Sequence, residues 1–448
     1  MNIVFYSSNS NSFDGSSVSF TTKPSCKSEW DDLAKKHPEH NFFIVTQMPG
    51  MFLLDIEKNE IREKSPSVRY VISEKTEVKE IARKILDLKP DIAMAVTFWT
   101  APYDWLSIKD SMIAEELSAH GVKTVCSPAK SALQCFDKNM THVLLENSGF
   151  KMPKAVYVHH GLFRCEAGCK EVKENVYREY ILSRIEKLNF PVIIKDTVGL
   201  SSYKAEVIPT YKSARSYLFS RKNSSDRIAE EYVSGIQFGA EIYGSGGKYT
   251  VMPPFMFSIN SFGITSPKQS VKVGPVTNEK YKIGELKKIL KALAKTVKLE
   301  GIMQVDLVFS GGRWYILEIN SRLSGISRSY AAAQNKSLYL VLTEILSAAK
   351  EKRRMRAGKT KYVCNFKMPV LTESQIEKLY EIPFVRRIDQ IHDAAASQRR
   401  AQGFCEIIFG GTSSACELQK QLDLIAAEFP QLIEPVFFKN AKELIERL

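Results

Sequence analysis

Hydrophobic residues along the first 127 positions fall into short apolar runs that alternate with longer amphipathic runs. The short runs predict strands, and they read NIVFYSS, NFFIVTQ, VRYVIS, DIAMAVTF and VKTVCS. The longer runs, TEVKEIARKILDLKP and SMIAEELSAHG, carry apolar residues at helical spacing. This alternation predicts a parallel sheet with helices packed against it. No GxGxxG motif follows the first strand, so the dinucleotide-binding fingerprint is absent.

The pattern changes after residue 127 and again near residue 350. Residues 131–149 predict a helix closed by Gly149, and FPVIIKD predicts an apolar strand that ends in a lysine and an aspartate. Two further strands are joined by SGGR, and residues 331–350 predict a helix. The pattern divides the chain into an N-terminal α/β domain (1–127), an α+β domain (128–350), a basic linker (351–361) and a small C-terminal α+β unit (362–448).

The C-terminal unit shows five periodic runs. CNFKMPV, FCEIIFGG and LIEPVFF predict strands, whereas ESQIEKLY and ACELQKQLDLIAAEF predict helices. Its motifs do not indicate a function, so a lid and a dimer contact both stay open as its role.

The bulk composition is that of a globular protein with about three domains, since the chain has 448 residues, 44% hydrophobic and 25% charged. The N-terminus does not read as a signal peptide, and no apolar run is long enough to cross a bilayer. Eight cysteines without a CxxC pair are typical of reduced thiols. We therefore expect a cytoplasmic protein that does not bind membranes.

The net charge of +13 permits a polyanionic partner. The densest basic cluster, KEKRRMRAGKTK, follows a helical run and contains a glycine, which is typical of a solvated helix end and linker. No nucleic-acid-binding signature with interleaved aromatic residues accompanies it, so the pattern argues against nucleic acid as a partner.

The stretch ILEIN places polar residues in an otherwise apolar strand. Glu318 and Asn320 share one face because side chains alternate along a strand. A two-residue Gly311-Gly312 loop would put Asp306 on the opposite face, whereas a three-residue loop with a bulge would put it level with Glu318 or on its diagonal. Two carboxylates and an amide oxygen on a rigid sheet suit Mg²⁺ shared with phosphates. The alternative is a solvated hairpin face, which the apolar neighbours disfavour.

Two lysines are candidates for phosphate contacts. Lys195 ends the apolar run PVIIK, and Lys138 lies in FDKNM. The turn after Lys195 contains Gly199, Ser201 and Ser202, which have the backbone and hydroxyl donors to fold over a phosphate. Each signal alone is also typical of a surface turn or an exposed helix lysine.

The segment IAEEYVSGIQFGAEIYG has two adjacent acids beside an apolar pair, which fits a linker that bonds a base and a ribose, or a plain β-turn-β unit.

In HHGLFRCEAGC, His159, His160, Cys165 and Cys169 suggest zinc, but their spacing fits no common finger, and we interpret the segment as a connecting loop.

Taken in order, these motifs resemble the ATP-grasp superfamily, over roughly residues 1–350. The matching features are a helix that opens with Asp137-Lys138, a PxxxK strand from Pro191 to Lys195, a flexible loop over 199–204, EEYVSG at 230–235, and the set Asp306, Glu318, Asn320 and Arg322. The resemblance is closest to the carboxylate–amine ligase branch, including amino acid and dipeptide ligases, and to carbamoyl-phosphate-synthase-like members. It implies a Rossmann-like N-terminal domain, an ATP-grasp domain of two α+β lobes, and a C-terminal α+β unit.

The chain departs from that pattern at three places. The ribose-binding glutamate of D-alanine-ligase-like members is Gln237 here, so the ribose contact belongs either to that amide or to Glu241. Ser321 replaces the usual proline of the last motif, and the flexible loop is poor in glycine.

The resemblance implies an ADP-forming reaction in two steps. A carboxylate attacks the γ-phosphate of ATP to give an acyl phosphate, and an amine then displaces phosphate. It further implies roles for four groups of residues: metal ligands (Asp306, Glu318, Asn320), phosphate ligands (Lys138, Lys195, Gly199, Ser201, Ser202), adenosine ligands (Glu230, Glu231, Tyr232, Val233, Gln237, Glu241), and the catalytic residues Arg322 at the transferred phosphoryl group and Arg328 at a substrate carboxylate.

The implied cofactors are ATP and two Mg²⁺ ions, for which Mn²⁺ can substitute. Small-molecule carboxylate and amine substrates are the implied partners, and a homodimer is compatible with the sequence. Two rival hypotheses stay open: an enzyme that makes or uses an acyl phosphate without an amine acceptor, and a nucleotide-responsive binding protein without catalysis.

Overall fold

The computed structural model describes residues 1–8, 18–47, 53–58, 60–97, 106–165, 174–199, 205–260, 263–265, 270–393 and 404–448. The N-terminal region contains, in order, β1 (Asn2–Tyr6), β2 (Val18–Lys23), α1 (Cys26–Lys36), β3 (Asn41–Thr46), β4 (Ile56–Glu57), β5 (Glu60–Ile61), β6 (Val68–Ile72), α2 (Val78–Leu86), β7 (Ile92–Ala95), α3 (Leu106–Ala119) and β8 (Lys123–Val125).

A five-stranded parallel sheet forms the centre of this region, in the order β6-β3-β1-β7-β8. Both faces of β1 are buried: Ile3 and Phe5 pack with Trp30 on one side, and Val4 and Tyr6 pack on the other. Strands covered on both faces read as continuous apolar runs, which is why this sheet is visible in the sequence. The predicted parallel sheet is confirmed.

The middle region contains α4 (Ala129–Phe136), α5 (Lys138–Asn147), β9 (Ala155–Val158), α6 (His160–Arg164), α7 (Val176–Glu186), β10 (Val192–Asp196), β11 (Glu206–Ile208), α8 (Tyr211–Phe219), β12 (Arg227–Glu231), β13 (Ile236–Ser245), β14 (Lys248–Val251), β15 (Phe255–Phe257), β16 (Lys272–Gly274), α9 (Ile283–Thr296), β17 (Gly301–Ser310), β18 (Arg313–Asn320), α10 (Ser327–Ala333) and α11 (Leu338–Lys350). Strands β9 to β12 form a four-stranded antiparallel sheet in the order β11-β10-β12-β9.

The single helix predicted over 131–149 is instead two helices. Asp137 has an extended backbone (φ −86°, ψ 119°), and its side chain accepts a hydrogen bond from the Met140 amide. An aspartate that caps a new helix in this way ends the previous one. The break places Lys138 at the first position of α5.

The C-terminal region contains β19 (Tyr362–Met368), α12 (Glu373–Tyr380), β20 (Val385–Asp393), β21 (Phe404–Thr412), α13 (Ala415–Glu428) and α14 (Pro435–Ile445). Its strands join a twelve-stranded sheet in the order β18-β17-β13-β15-β16-β19-β21-β20-β2-β4-β5, with β14 on β13. Strand β19 pairs with β16, and β20 pairs with β2. The large sheet thus joins residues from all three regions, and the proposed domain boundaries stay predictions.

One prediction for the C-terminal unit is wrong, and one strand was missed. LIEPVFF was predicted as a strand, but its last four residues begin helix α14, in which Pro435 occupies the first turn and Phe437, Ala441 and Leu444 are buried at helical spacing. Strand β20 was not predicted, because Arg387 and Asp389 interrupt its apolar pattern while being buried themselves. No helix among the described residues is long and apolar enough to span a membrane.

Candidate functional site

A cavity lies between the four-stranded sheet and the twelve-stranded sheet. Its walls come from α5, β10, β12, β13 and β15 to β18. The predicted site residues that line it are Lys138, Lys195, Gly199, Glu230, Glu231, Tyr232, Val233, Gln237, Asp306, Glu318, Asn320 and Arg322. These residues come from separate parts of the chain, and the fold brings them to one place.

A β-bulge sets the faces of the ILEIN strand. Ser310 pairs with Arg313 across a two-residue turn, in which Gly311 and Gly312 have φ of 54° and 71°. That turn alone would put Asp306 opposite Leu317, but the register shifts between Asp306 and Leu307, so that Asp306 pairs with Glu318. The structure thus combines the two-residue loop with a bulge inside the strand, which neither sequence alternative described.

The bulge serves both the core and the cavity. Ile316 and Glu318 would share a face in a regular strand, yet Ile316 belongs to the hydrophobic core and Glu318 lines the cavity. The extra residue, Leu317, also lines the cavity.

Asp306 is a carboxylate that faces a second carboxylate. Burial, and after it the like charge of Glu318, raises the pKa of Asp306 to about 7. Gln304, which faces Asn320 across the strands, donates to Asp306 Oδ1 at 2.6 Å. Two carboxylates and an amide oxygen are hard ligands of the kind Mg²⁺ prefers. The donor set and the raised pKa fit a divalent cation at this place.

Arg322 follows these ligands directly in the chain. Its Nη1 donates to the Leu323 carbonyl at 2.9 Å, and its Nη2 lies 3.4 Å from Asn320 Oδ1. The guanidinium is therefore held beside the metal-ligand candidates while still lining the cavity.

Glu230 is bound to two bases rather than facing an adenine. Its Oε2 lies 2.7 Å from Lys195 Nζ, and its Oε1 lies 2.8 Å from His142 Nε2. Although burial alone would raise the pKa of Glu230, Lys195 and His142 lower it to about 2. The carboxylate therefore stays charged and fixes the Lys195 ammonium on the cavity wall.

Lys138 is fixed by the loop after β10. Its Nζ donates to the Gly199 carbonyl at 3.0 Å and lies 3.9 Å from Glu318 Oε1. Gly199 has a φ of 150°, in a region that side-chain-bearing residues rarely adopt. Lys138 is 8% exposed, so this ammonium is presented to the cavity rather than to bulk solvent.

The EEYV segment continues along the same wall. Glu231 accepts hydrogen bonds from the backbone and side-chain amides of Asn189, at 3.0 and 2.8 Å. The Tyr232 hydroxyl donates to the Gly263 carbonyl at 2.8 Å, and the Gln237 side-chain oxygen accepts from Thr265 at 3.3 Å.

Two predicted site residues lie apart from this cavity. Glu241 is fully buried and accepts hydrogen bonds from the hydroxyls of Tyr243, Ser324 and Ser327. Of the two residues proposed to contact ribose, Gln237 lines the cavity, whereas Glu241 does not appear among the described residues of its wall.

The second is Arg328, whose Nη1 lies 2.7 Å from Asp389 and whose guanidinium lies over Phe20. Arg328 is likewise absent from the described cavity wall, and the structure gives it an internal ion pair. Ser324 and Ser327, which bond Glu241, and Asp389, which pairs with Arg328, are distant in sequence, so spacing alone did not reveal these contacts.

The remaining candidates from the sequence either lie outside the described residues or have structural roles. Ser201 and Ser202 lie outside the described residues, as does Cys169. His159 caps α6, and His160 Nε2 lies 3.0 Å from the Asn223 carbonyl, which are structural roles.

Sequence reasoning missed three polar residues at this site. His142 follows Lys138 by four positions on α5, a spacing that signals one helix face. Gln304 and Lys272 line the cavity from β17 and β16. A lysine inside the apolar run SVKVG was the available signal for Lys272.

Comparisons with known proteins agree with this geometry. A family model described as an ATP-grasp domain matches residues 135–326. The carbamoyl phosphate synthase large chain of Clostridium botulinum (strain Alaska E43 / Type E3) is 22% identical over 242 residues, which make up 53% of this chain and 21% of that protein. The chain therefore spans about a fifth of the length of this curated relative.

Solved structures match over nearly the whole chain. The L-amino acid ligase from Bacillus licheniformis gives a TM-score of 0.62 at 16% identity and covers 96% of this chain and 97% of that one. N5-carboxyaminoimidazole ribonucleotide synthetase from Thermus thermophilus gives a TM-score of 0.61 at 12% identity and covers 95% and 98%. At these identities the likeness shows the fold, and the predicted fold class is confirmed.

Proposed function

We propose that the protein is an ATP-dependent, ADP-forming ligase that joins a carboxylate to an amine, and the match of residues 135–326 to a family model described as an ATP-grasp domain supports this proposal. The observation that carries the proposal is the pairing of Asp306 with Glu318 in the cavity that also holds Lys138, Lys195 and Arg322. We propose an amino acid or a small peptide as the substrate. The names of the structural neighbours, which include an L-amino acid ligase, support this substrate class.

In the first step, an oxygen of the substrate carboxylate forms a bond to the γ-phosphorus, and the bond from that phosphorus to the β–γ bridging oxygen breaks. The products are an acyl phosphate and ADP. Lys138 and Lys195 neutralise the phosphates of the nucleotide, and Arg322 stabilises charge on the transferred group. Asp306, Glu318 and Asn320 would hold Mg²⁺, which when bound neutralises phosphate charge.

In the second step, the amine nitrogen forms a bond to the acyl carbon, phosphate leaves with the carbon–oxygen bond pair, and the nitrogen loses a proton. Positioning dominates such a reaction, because little covalent chemistry is required of the protein. The rigid sheet supports this requirement, since the metal-ligand candidates lie on paired strands. Two Mg²⁺ ions, a cytoplasmic location and a homodimer remain predictions that accompany the proposal.

The test is a matrix of amino acids and other carboxylates, assayed for phosphate release with Mg-ATP. We expect ADP and phosphate to form in equal amounts, with a rate that requires one carboxylate and rises with an amine. Release that needs a carboxylate but no amine would favour the acyl-phosphate enzyme. Tight ATP binding without turnover for any pair would favour the binding protein.

Arg322→Ala should lower the turnover by about 10²- to 10³-fold, because it removes an electrostatic contact at the transferred phosphoryl group. The matched control is Arg313→Ala, at the exposed start of strand β18, whose other end Arg322 follows, and it should leave the rate within a factor of two. Equal effects from the two substitutions would contradict the role of Arg322.

A further inference from the structure

Two histidines and a glutamate come together in the turn between α1 and β3. The turn reads HPEH and covers residues 37–40. The His40 amide donates to the His37 carbonyl at 3.0 Å, which is the backbone hydrogen bond of a β-turn. Pro38 occupies the second position of this turn, where its fixed φ suits the geometry. The turn therefore holds the two histidines close to each other.

The side chains of this turn place three ligand atoms in one small volume. The two imidazole rings are nearly parallel, with centroids 5.7 Å apart and 8° between their planes. One oxygen of Glu39, Oε1, lies 3.3 Å from His37 Nδ1 and 3.3 Å from His40 Nε2. These ligand atoms all lie within 4.8 Å of one another. Among the residues that the structure describes, this is the one group of three histidine, cysteine or acidic side chains so placed.

The distance of 3.3 Å fits a shared metal ion better than it fits two strong hydrogen bonds. Hydrogen bonds from nitrogen to oxygen are usually about 2.9–3.0 Å long. Two ligand atoms that each lie about 2.0 Å from Zn²⁺ are about 3.3 Å apart when the angle at the metal is tetrahedral. The Glu39 oxygen is therefore spaced from each nitrogen as it would be around one ion.

The surroundings fix one ring and leave the other two side chains accessible. The His40 side chain is 12% exposed, and its ring packs edge-on against Phe42 with centroids 6.1 Å apart. The side chains of His37 and Glu39 are 30% and 58% exposed. An ion can thus enter from solvent, and water can complete its coordination.

We propose that His37, Glu39 and His40 bind a divalent transition-metal ion, for which Zn²⁺ fits best. Imidazole nitrogens together with a carboxylate suit Zn²⁺, whereas Mg²⁺ prefers oxygen ligands. Three protein ligands leave a fourth position for water. None of the three residues is among the described residues that line the cavity, so this site is separate from the proposed ligase site.

The position of the site points to a role in stability rather than in the reaction. The turn precedes β3 and so lies at the amino ends of the parallel strands, whereas open α/β sheets bind their ligands at the carboxyl ends. His40 Nδ1 is buried and has no hydrogen-bond partner among the described residues. The lack of such an outer partner typically lowers metal affinity by about 10- to 100-fold. We therefore expect micromolar affinity and a higher melting temperature when the ion is bound.

Competition with a colorimetric zinc chelator measures binding to the full chain, with excess Mg²⁺ present throughout. The double variant His37→Ala/His40→Ala should bind one equivalent of Zn²⁺ fewer than the wild type. Glu39→Gln should lower the affinity of that equivalent at least tenfold, because it removes the charged ligand. The matched control is His120→Ala, since His120 is an exposed histidine 4.0 Å from Glu116 and belongs to no such group of three. It should bind Zn²⁺ as the wild type does.

Co²⁺ in place of Zn²⁺ gives a readout that a merely structural role of the turn would not produce. Its visible absorption reports a four-coordinate site with nitrogen and oxygen ligands. The wild type and His120→Ala should show this band, and the double variant should lack it. Added Zn²⁺ should raise the melting temperature of the wild type and of His120→Ala only.

Two results would overturn the inference. One is an equal number of Zn²⁺ equivalents, bound with equal affinity, in the wild type and in the double variant. The other is the absence of a visible Co²⁺ band that depends on His37 and His40. If the double variant does not fold, Glu39→Gln decides, because its side chain is mostly exposed and nearly the same size as that of glutamate. Unchanged Zn²⁺ affinity in Glu39→Gln would then contradict the site.

Discussion

Buried charges organise the cavity at the scale of single residues. Glu230 holds Lys195 and His142, while Asp306 faces Glu318 with the amide of Gln304 as its neutral partner. Glu230 thus contacts two basic side chains, whereas Asp306 faces a second carboxylate. The two carboxylates should therefore respond to substitution and pH in opposite ways.

Glu230→Gln should destabilise the protein by about 3–5 kcal/mol, because it leaves the Lys195 ammonium without its anion. The wild-type pair contributes its stability above pH 4.5 and loses it as the pH falls towards 2, since the folded-state pKa of Glu230 is lowered. Urea unfolding at pH 7 measures the change. Glu231→Gln is the control and should cost under about 1 kcal/mol, because the glutamine oxygen can still accept from the two Asn189 amides and only the charge is removed.

Asp306→Asn should stabilise the metal-free protein at pH 8 by about 1–3 kcal/mol. A raised folded-state pKa means that wild-type stability falls as the pH rises from about 4 to about 7, so the advantage of the variant should grow over that range. Melting temperatures in EDTA at pH 5 and pH 8 measure it. Added Mg²⁺ with ADP should stabilise the wild type and not the variant. A variant that melts lower at pH 8 would contradict the burial of an ionised Asp306.

The sequence identified most of the charged residues that line the cavity, because motif order and strand alternation carry that information. It could not place Glu241 or Arg328, whose partners Ser324 and Asp389 lie tens of residues away. The sequence did not identify Lys272 as a cavity residue for a related reason. A single lysine in an apolar run is typical of an edge strand as well as of a binding site, and only the fold decides between them.

At the scale of elements, one extra residue and one helix cap align the site. The bulge at Leu317 turns Glu318 and Asn320 into the cavity while Ile316 stays in the core. The Asp137 cap starts α5 at Lys138, so that Lys138 lines the cavity and His142, one turn later, contacts Glu230. Bulges and caps are local deviations from periodicity, which explains why a search for regular patterns predicted one long helix and left the face of Asp306 open.

Asp137→Ala should destabilise the protein by about 1 kcal/mol and also weaken ADP binding, because α5 would begin less firmly at Lys138. Thr210→Ala is the matched control, since Thr210 caps α8 through the Ser213 amide and does not line the cavity among the described residues. The control should lose a similar amount of stability and keep its ADP affinity. An equal ADP affinity in both variants would show that the cap does not position Lys138.

At the scale of the whole molecule, the twelve-stranded sheet makes the C-terminal unit part of the main body. The largest core contains Phe238 and Leu307 from the middle region and Phe366, Leu418 and Phe437 from the C-terminal region. Periodicity found β19 and β21 but missed β20. It did not reveal the partners of these strands, because the pairing of β19 with β16 depends on contacts across about ninety residues of chain.

A chain that ends at residue 361 should therefore fail to unfold cooperatively. The truncation removes β19 to β21 and the C-terminal helices, which exposes one edge of β16 and takes away a large part of the largest core. Circular dichroism melting and binding of a hydrophobic dye measure the effect. A truncated chain that melted cooperatively at the temperature of the full chain would contradict the shared core and favour an independent unit.

The pairing of β2 with β20 joins strands that are synthesised far apart in time. Val18 pairs with Asp393, so β2 can form this pairing only after residue 393 has left the ribosome. Until then, the polar edge of β2 is available to any other extended segment, including one from a second nascent chain. Synthesis rate and chaperone supply should thus decide the yield of active protein more than the stability of the finished fold does.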